Sequence, residues 1–337
     1  MRRREFITLV GGAAAAWPLT ARAQQKAKVY RIARVHSTLP VAENIKAINT
    51  KGTLAWKFYE ELGRLGFVAG QNLVVEQFSL EGRTEDFSEL VRDVVRSNPD
   101  LIYTDQTALV LAFKAATTTI PIVAWASDPV ANGIVPSLAR PGGNITGVSI
   151  NAGPEISGKY VELLKEAVPG VSKVGFLAAP SYWEDAEGLA MRDAAKRAQI
   201  SLIGPPLDYP LEAAVYRRVI ASMAQAGAEA LIIARSVPNQ TYLRLIVELV
   251  ERARLPAIFP YRQSCELSGL MAYAPDDVEG ALHIAEQIAQ ILKGASPANI
   301  PYYQITKFQV IINLKTAKAL GLELPTSLLL RANEVIE

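Results

Sequence analysis

The feature that most constrains the fold is an alternation of short apolar runs with amphipathic helical stretches, which occurs twice along the chain. The run 28–35 predicts a strand, and the stretch 53–65 carries apolar residues at helical spacing before Gly66, a residue typical of helix ends. The same order starts again after Gly147 and continues to Tyr261. Strands that alternate with helices predict parallel sheets covered on both faces. The 337 residues, half of them apolar, suffice for two such α/β lobes.

The first 23 residues have the order of an export signal. A basic segment at 2–4 precedes an apolar segment at 7–16, and an A-x-A pattern at 21–23 predicts cleavage after Ala23. Residues 3–7 fit the twin-arginine export pattern, although a Sec signal with a basic start has the same features. The apolar segment is shorter than the roughly 20 residues that a membrane-spanning helix needs. We therefore expect a soluble mature protein in the periplasm.

The charge of the mature chain argues against nucleic acid as a partner. The whole chain carries a formal charge of +2, and cleavage after Ala23 removes four arginines and one glutamate, which leaves −1. Nucleic acids are bound by strongly basic surfaces, which this balance does not provide. Cys265 is the only cysteine, so it forms no disulfide within the chain, and its simplest interpretation is a small buried hydrophobe.

Sequence signals for catalysis, cofactors and metals are poor. His36 and His283 are the only histidines, and neither lies in a pattern with metal-ligand spacing. The chain has no P-loop and no G-x-S-x-G nucleophile elbow, and the glycines at 142–143 lack the spacing of a dinucleotide site. We therefore expect no enzyme and no cofactor. An enzyme on two Rossmann-like lobes would need a buried acid–base pair, whereas the sequence offers scattered carboxylates such as Asp105 and Asp128.

Candidate ligand-binding residues follow the predicted strands at their carboxyl ends, which is where open α/β sheets bind ligands. Both lobes contribute such residues, so a cleft between the lobes would be lined by both sets. The candidates are Ser37, Thr104, Asp105, Gln106, Thr107, Trp125, Ser127 and Asp128 in the first lobe, and Tyr182, Trp183, Arg235, Ser236 and Tyr261 in the second.

These candidates also have structural interpretations. The junction 104–107 favours an anion through free N–H groups and the positive end of a helix, but Thr or Asp at this position also serves as a helix cap. The aromatic candidates suit stacking on a flat ligand, or packing between a lobe and the hinge. Arg235 is suited to hold a carboxylate through two hydrogen bonds, and its alternative is a surface ion pair.

Three long segments of the chain resemble one family of transport proteins. They read ELGRLGFVAGQNLVVE at 61–76, PIVAWASDPVANGIVPSLARPGGNITG at 121–147 and LKGASPANIPYYQITKFQVIINLKTAKALGLELPTSLLLRANEVIE at 292–337. Over almost all of its mature length, the chain resembles the substrate-binding proteins of ABC transporters in the tryptophan/tyrosine-type family. That resemblance implies the type I periplasmic-binding-protein fold, in which two Rossmann-like lobes are joined by a hinge that the chain crosses three times.

The resemblance also implies how the chain is divided between the lobes. Several crossing segments form a hinge, since a few backbone angles absorb closure while each lobe moves as a rigid body. Asn151 and Tyr273 lie close to the expected crossings and complete the candidate ligand-binding residues. The expected division is 28–150 plus 269–305 for lobe 1, and 151–268 plus 306–337 for lobe 2.

The function implied by the resemblance is that of a periplasmic solute-binding protein of an ABC importer, which closes two lobes around a small organic solute. Its expected partners are that ligand and an ABC permease of the inner membrane, and we expect a monomer. The resemblance suggests that Ser127 and Asp128 meet an ammonium or hydroxyl group, although Asp128 before Pro129 also suits an Asx turn. Because the segments 35–53 and 182–183 and Arg235 depart from the family pattern, the candidate ligands include aromatic amino acids, aromatic or other organic carboxylates, and other amides or amino acids. The alternative function is an exported ligand-sensing module for a membrane receptor.

Overall fold

The computed structural model describes residues 28–36, 40–81, 87–150, 153 and 155–337, and the predicted export signal lies outside these residues. The described chain forms two sheets. The central strands of each sheet are almost continuously buried, as expected where helices cover both faces of a parallel sheet, whereas edge strands such as β2 and β7 are more exposed.

The first sheet has six strands, and all of its neighbouring pairs are parallel. Its strands are β1 (Tyr30–His36), β2 (Leu73–Ser79), β3 (Leu101–Thr104), β4 (Ile122–Ala126), β5 (Ile145–Ser149) and β11 (Tyr303–Gln304). They lie in the order β11-β5-β4-β3-β1-β2.

The second sheet has seven strands, parallel except where β10 meets β12. Its strands are β6 (Lys173–Leu177), β7 (Ser201–Ile203), β8 (Ala230–Ile233), β9 (Ala257–Phe259), β10 (Met271–Pro275), β12 (Phe308–Asn313) and β13 (Glu334–Ile336). They lie in the order β13-β12-β10-β9-β8-β6-β7.

Helices connect the strands, together with a 3₁₀ turn at Pro297–Asn299. Among the described residues, no helix combines the length and the apolar character that crossing a membrane requires. The helices are α1 (Val41–Ile48), α2 (Leu54–Arg64), α3 (Ser88–Arg96), α4 (Thr107–Ala116), α5 (Glu155–Ala167), α6 (Pro180–Glu184), α7 (Ala186–Arg197), α8 (Ala213–Gln225), α9 (Val237–Thr241), α10 (Leu243–Arg252), α11 (Gln263–Glu266), α12 (Asp277–Leu292), α13 (Leu314–Leu320) and α14 (Thr326–Arg331).

Local sequence sets the bounds of α2. The Thr53 hydroxyl accepts a hydrogen bond from the backbone N–H of Trp56 at 3.1 Å, so it caps the first turn of the helix. Gly66 follows the last turn with φ of 98°, a conformation that glycine adopts at little cost. The helix predicted over 53–65 is thus confirmed to within one residue at each end.

Two helix layers bury each sheet. In the first lobe, α2 and α12 cover one face through residues such as Phe58 and Ile284, and α3 and α4 cover the other through Val94 and Phe113. In the second lobe, α5 and α7 cover one face, and α8 and α10 cover the other. Apolar burial of this kind contributes about 25 cal/mol per Å². The predicted pair of α/β lobes is therefore confirmed.

The chain passes between the two sheets after β5, after β10 and after β11. The second passage differs from the predicted boundary at 269, because β10 lies in the second sheet, where it pairs with β9 in parallel and with β12 in the antiparallel sense. Residues 269–275 therefore belong with the second lobe, and the crossing occurs at Asp276, whose side chain caps α12. Within the described residues, we use "first lobe" for 28–150 and 276–305, and "second lobe" for 153–275 and 306–337.

The candidate ligand-binding cleft

A cavity of about 1480 Å³ lies between the two lobes and is lined by residues of both. Its walls include residues at the carboxyl ends of strands from both sheets, such as Asp105 after β3 and Arg235 after β8. Parallel sheets bind ligands at this edge because loops and helix N-termini converge there. The volume exceeds the roughly 300–1,000 Å³ of ordinary small-molecule pockets, so a small solute fits together with water.

Nine of the predicted ligand-binding residues line this cleft. They are contributed by both lobes, as expected for a site that closes around its ligand. The nine are Asp105, Gln106, Thr107, Trp125 and Ser127 from the first lobe, and Tyr182, Arg235, Ser236 and Tyr261 from the second. Contact with a ligand stays a prediction for each of them.

Two other first-lobe candidates, Thr104 and Asp128, are not among the residues that line the cleft. Thr104 is fully buried within β3. A carboxylate oxygen of Asp128 accepts a hydrogen bond from the N–H of Ala131 at 3.0 Å, so it stabilises the turn that follows, through a bond one residue longer than that of the predicted Asx turn. Ser37 and Asn151 lie outside the described residues.

The remaining second-lobe candidates, Trp183 and Tyr273, pack inside their own lobe and are not among the residues that line the cleft. The ring of Trp183 meets that of Phe176 edge to face, with 5.2 Å between centroids. The Tyr273 ring packs between Tyr160 and Phe308, at 5.6 and 5.3 Å. These contacts match the packing alternative that the sequence left open for the aromatic candidates.

The junction between β3 and α4 brings a helix N-terminus to the cleft. Gln106 precedes α4 with φ of 71°, and its side-chain carbonyl oxygen is buried without a hydrogen-bond partner among the described residues. The Thr107 hydroxyl accepts from the N–H of Ser127 at 3.3 Å, which fastens this junction to the loop after β4. A buried carbonyl that lacks a donor is costly, so a ligand N–H group would find an acceptor here.

Arg34 on β1 forms the charged floor of the first lobe. Its guanidinium donates to a carboxylate oxygen of Asp105 at 3.0 Å and lies 3.9 Å from the centre of the Tyr103 ring. The Tyr103 hydroxyl in turn accepts from the indole N–H of Trp125 at 2.9 Å. Because these residues come from three neighbouring strands and one following loop, the sheet order β4-β3-β1 brings them together.

A polar network beside this floor attaches α1 to the sheet. The side-chain oxygen of Gln77 accepts from the Asn44 amide at 2.7 Å and lies 3.3 Å from Nε2 of His36, while its amide donates to the Tyr59 hydroxyl at 3.0 Å. Burial and the nearby positive charge of Arg34 lower the pKa of His36 to about 3. The imidazole is therefore neutral at physiological pH and acts as a hydrogen-bonding group.

In the second lobe, Arg235 faces both its own lobe and the first one. It donates to the backbone oxygen of Pro260 at 3.0 Å and lies 3.9 Å from a carboxylate oxygen of Asp277, at the start of α12. Burial raises the pKa of Asp277, and the charge of Arg235 opposes that rise. Ser236 caps α9, and its backbone exchanges two hydrogen bonds with the Tyr261 hydroxyl, so these two candidates also hold the strand end in place.

Glu187 is a functional candidate that the sequence did not indicate. It lies at the start of α7, where Asp185 is the N-cap, and it lines the cleft together with Ser127 of the opposite lobe. Burial, followed by the negative charge of Asp185, raises the pKa of Glu187 to about 7, and Arg235 opposes that rise. Nothing in the local pattern of α7 marks this residue, because the groups that act on its carboxyl group include Arg235 and Asp128, which are distant in the sequence.

Three further cleft residues, Arg34, Tyr59 and Tyr103, were also not among the candidates that the sequence indicated. Arg34 and Tyr103 lie within predicted strands and Tyr59 within a predicted helix, where sequence reasoning assigns them to packing. No group of three or more metal-ligating side chains occurs in the part of the chain that the structure describes.

Comparison with known proteins decides the family. Residues 57–336 match the ABC transporter substrate binding protein family. The chain belongs to this family. The resemblance noted in the sequence is therefore confirmed, and so is the expectation that the protein is not an enzyme, since the family consists of binding proteins.

Several relatives of this substrate-binding protein are similar over most of its length. The tyrosine-binding protein of Clostridioides difficile (strain R20291) is 25% identical over 269 residues, which cover 79% of this chain and 76% of that protein. A conserved domain protein from Vibrio cholerae has a TM-score of 0.79 at 22% identity, covering 91% of this chain and 100% of the other. An ABC domain from Streptococcus pneumonia in complex with L-Trp has a TM-score of 0.78 at 21% identity, covering 92% and 100%.

A further solved structure is the ligand-free, open form of a substrate-binding protein with adhesive properties from Clostridium difficile. Its TM-score is 0.63 at 20% identity, with 91% of this chain and 99% of the other covered. These likenesses confirm the predicted fold, the type I periplasmic-binding-protein fold with two α/β lobes.

Proposed function

We propose that this substrate-binding protein serves an ABC importer by closing its two lobes around a small organic solute that has an aromatic ring and a polar or charged end. The observation that carries the proposal is the cleft between the lobes, whose lining combines aromatic rings with Arg34, Arg235 and Glu187. A ligand that touches both lobes binds the closed state better, so it shifts the population toward closure.

Two observations support closure as the mechanism. Arg235 of the second lobe comes within 3.9 Å of a carboxylate oxygen of Asp277 in the first lobe, and Asp128 of the first lobe acts on the pKa of Glu187 in the second. One relative is described as a ligand-free, open structure, so an open state occurs in a protein of this fold. The crossing segments after β5, β10 and β11 would absorb that rotation.

The ligand class that we propose is an aromatic amino acid or an aromatic or other organic carboxylate. Trp125 and Tyr182 face the cleft from opposite lobes and offer stacking surfaces. The relatives named for tyrosine and crystallised with L-Trp support the same class.

A thermal-shift screen of the mature protein tests this proposal, with calorimetry on each hit. L-Tryptophan, L-tyrosine and aromatic carboxylates form the test set, and sugars form the control set. A ligand that binds only the native state raises Tm, by an amount that follows its concentration relative to Kd. A Tm that no member of the test set raises would reject the ligand class.

We further propose export to the periplasm with cleavage after Ala23, delivery of the ligand to an inner-membrane permease, and a monomeric state. N-terminal sequencing of protein from the periplasmic fraction should begin at Gln24. Replacing Arg3 and Arg4 by lysine should block export if the twin-arginine route is used and leave it intact if the Sec route is used. Light scattering gives the molar mass in solution and so tests whether the mature protein is a monomer.

A further inference from the structure

The direction of one hydrogen bond leaves a tyrosine proton without an acceptor in the cleft. The Tyr103 hydroxyl lies 2.9 Å from the indole nitrogen of Trp125. An indole N–H can only donate, so Tyr103 is the acceptor in this bond and its own proton points elsewhere. No acceptor for that proton occurs among the described residues, although Tyr103 is only 6% exposed and lines the cavity.

Tyr59 repeats the arrangement a short distance away. Its hydroxyl accepts from the Gln77 amide at 3.0 Å, and the Gln77 side chain is oriented by Asn44, whose amide donates to the Gln77 oxygen at 2.7 Å. The Tyr59 proton is therefore also free to donate, and no acceptor for it is present in the part of the chain that the structure describes. Tyr59 is half-buried and lines the same cavity.

Arg34 is ion-paired with Asp105 and adjoins both tyrosines. Its guanidinium lies over the Tyr103 ring, and in the register of β1 and β2 it pairs with Gln77, the residue that donates to the Tyr59 hydroxyl. Its positive charge also opposes the burial that raises the pKa of Tyr59 and Tyr103. Asp105 already balances the charge of Arg34. This part of the cleft therefore offers hydrogen-bond donors without a large excess of positive charge. Two O–H donors beside a neutralised guanidinium match a group that only accepts hydrogen bonds.

We propose that Tyr59 and Tyr103 form an oxygen-acceptor subsite on the first lobe, where their hydroxyls donate to a carboxylate or carbonyl oxygen of the ligand. The inference rests on the proposed function, since it requires a solute in the cleft. It states which end of the ligand the first lobe recognises, namely the end that carries the oxygen acceptor. It also assigns the two tyrosines a role in ligand specificity in addition to packing. A ligand that lacks an oxygen acceptor at that end leaves both protons unpaired, and such a site discriminates strongly.

Calorimetry on the wild-type mature protein gives the first test, and it needs no variant. The probes are L-tryptophan, L-tryptophanamide and tryptamine, which carry a carboxylate, a carbonyl and no oxygen acceptor, together with the corresponding tyrosine series. We expect the acids to bind, the amides to bind if a carbonyl oxygen is sufficient, and the amines to lose at least about 10-fold in affinity. Amines that bind as tightly as the acids would overturn the subsite while leaving the proposed function intact.

The variants Tyr59→Phe and Tyr103→Phe give the second test, because they remove the hydroxyl and keep the ring. Each should raise the Kd of the acid by about 10- to 100-fold, the range for hydrogen bonds to a charged group, and leave the Kd of the amine unchanged. Tyr302→Phe is the matched control, since the Tyr302 hydroxyl is buried without a partner among the described residues and is not among those lining the cleft. Equal loss for acid and amine would assign the tyrosines to packing and overturn the subsite. Failure of every probe on the wild type would reject the ligand class and the subsite together.

Discussion

Glu187 should make the opening of the cleft depend on pH in the absence of ligand. Its carboxyl group is half-buried and lines the cleft, where Asp185, Asp128 and Arg235 act on it electrostatically. In this arrangement of the lobes, burial is the main cause that raises its pKa from the ordinary 4.5 to about 7. Opening returns the carboxyl group to water, where the ordinary value applies, so the ionised form favours the open state.

The sign and the size of the pH effect on closure follow from the difference between these two pKa values. A raised pKa stabilises the closed state most below pH 4.5, and this stabilisation is lost as the pH rises to about 7. Between pH 5 and pH 8 the loss amounts to about 2–3 kcal/mol, since each pKa unit corresponds to about 1.4 kcal/mol. The other cleft group that ordinarily titrates near this range, His36, has a pKa lowered to about 3 and stays neutral throughout.

Small-angle scattering of the ligand-free mature protein at pH 5 and pH 8, at constant ionic strength, measures the effect as the radius of gyration. We expect the radius of gyration of the wild type to be larger at pH 8 than at pH 5, and that of the variant Glu187→Gln to be the same at both pH values. Glu248→Gln makes the same charge change on an exposed residue of α10 and should behave as the wild type. A wild-type radius that is equal at the two pH values, or the same expansion in Glu187→Gln, would refute the reasoning.

Two further substitutions test the cleft and its support. Arg235→Ala should weaken binding of an anionic ligand by about 1.5–3 kcal/mol, the range for hydrogen bonds to charged groups, with the calorimetric Kd as readout; an unchanged Kd would exclude Arg235 as a ligand contact. Gly280→Ala in α12 would place a methyl group 2.2 Å from the Trp125 ring, so we expect a loss of about 1–3 kcal/mol in urea unfolding. Gly63→Ala in α2 has no atom within 4 Å of the added carbon and should instead stabilise by about 0.5–1 kcal/mol; equal effects of the two alanines would contradict the packing argument.

The family was readable from the sequence because three long segments match one pattern in order. The correct lobe boundary near 269 could not be read from the sequence. The apolar run that becomes β10 has no local feature that assigns it to one sheet, and hydrogen bonds to β9 and β12 make that assignment. A short strand is apolar wherever it is buried on both faces, so hydrophobic periodicity does not identify the strands with which it pairs.

By itself, the sequence determined the alternation of strands and helices, the mainly parallel character of both sheets and the strand ends from which nine cleft residues come. These depend on local hydrophobic periodicity and turn chemistry, which act over a few residues. Only the tertiary structure decided that Trp125 donates to Tyr103, whose ring lies against Arg34, and that Glu187 of one lobe lines the same cleft as Ser127 of the other. The direction of a hydrogen bond and the burial of a charge depend on groups far apart in the chain, so they exist only once the lobes have packed.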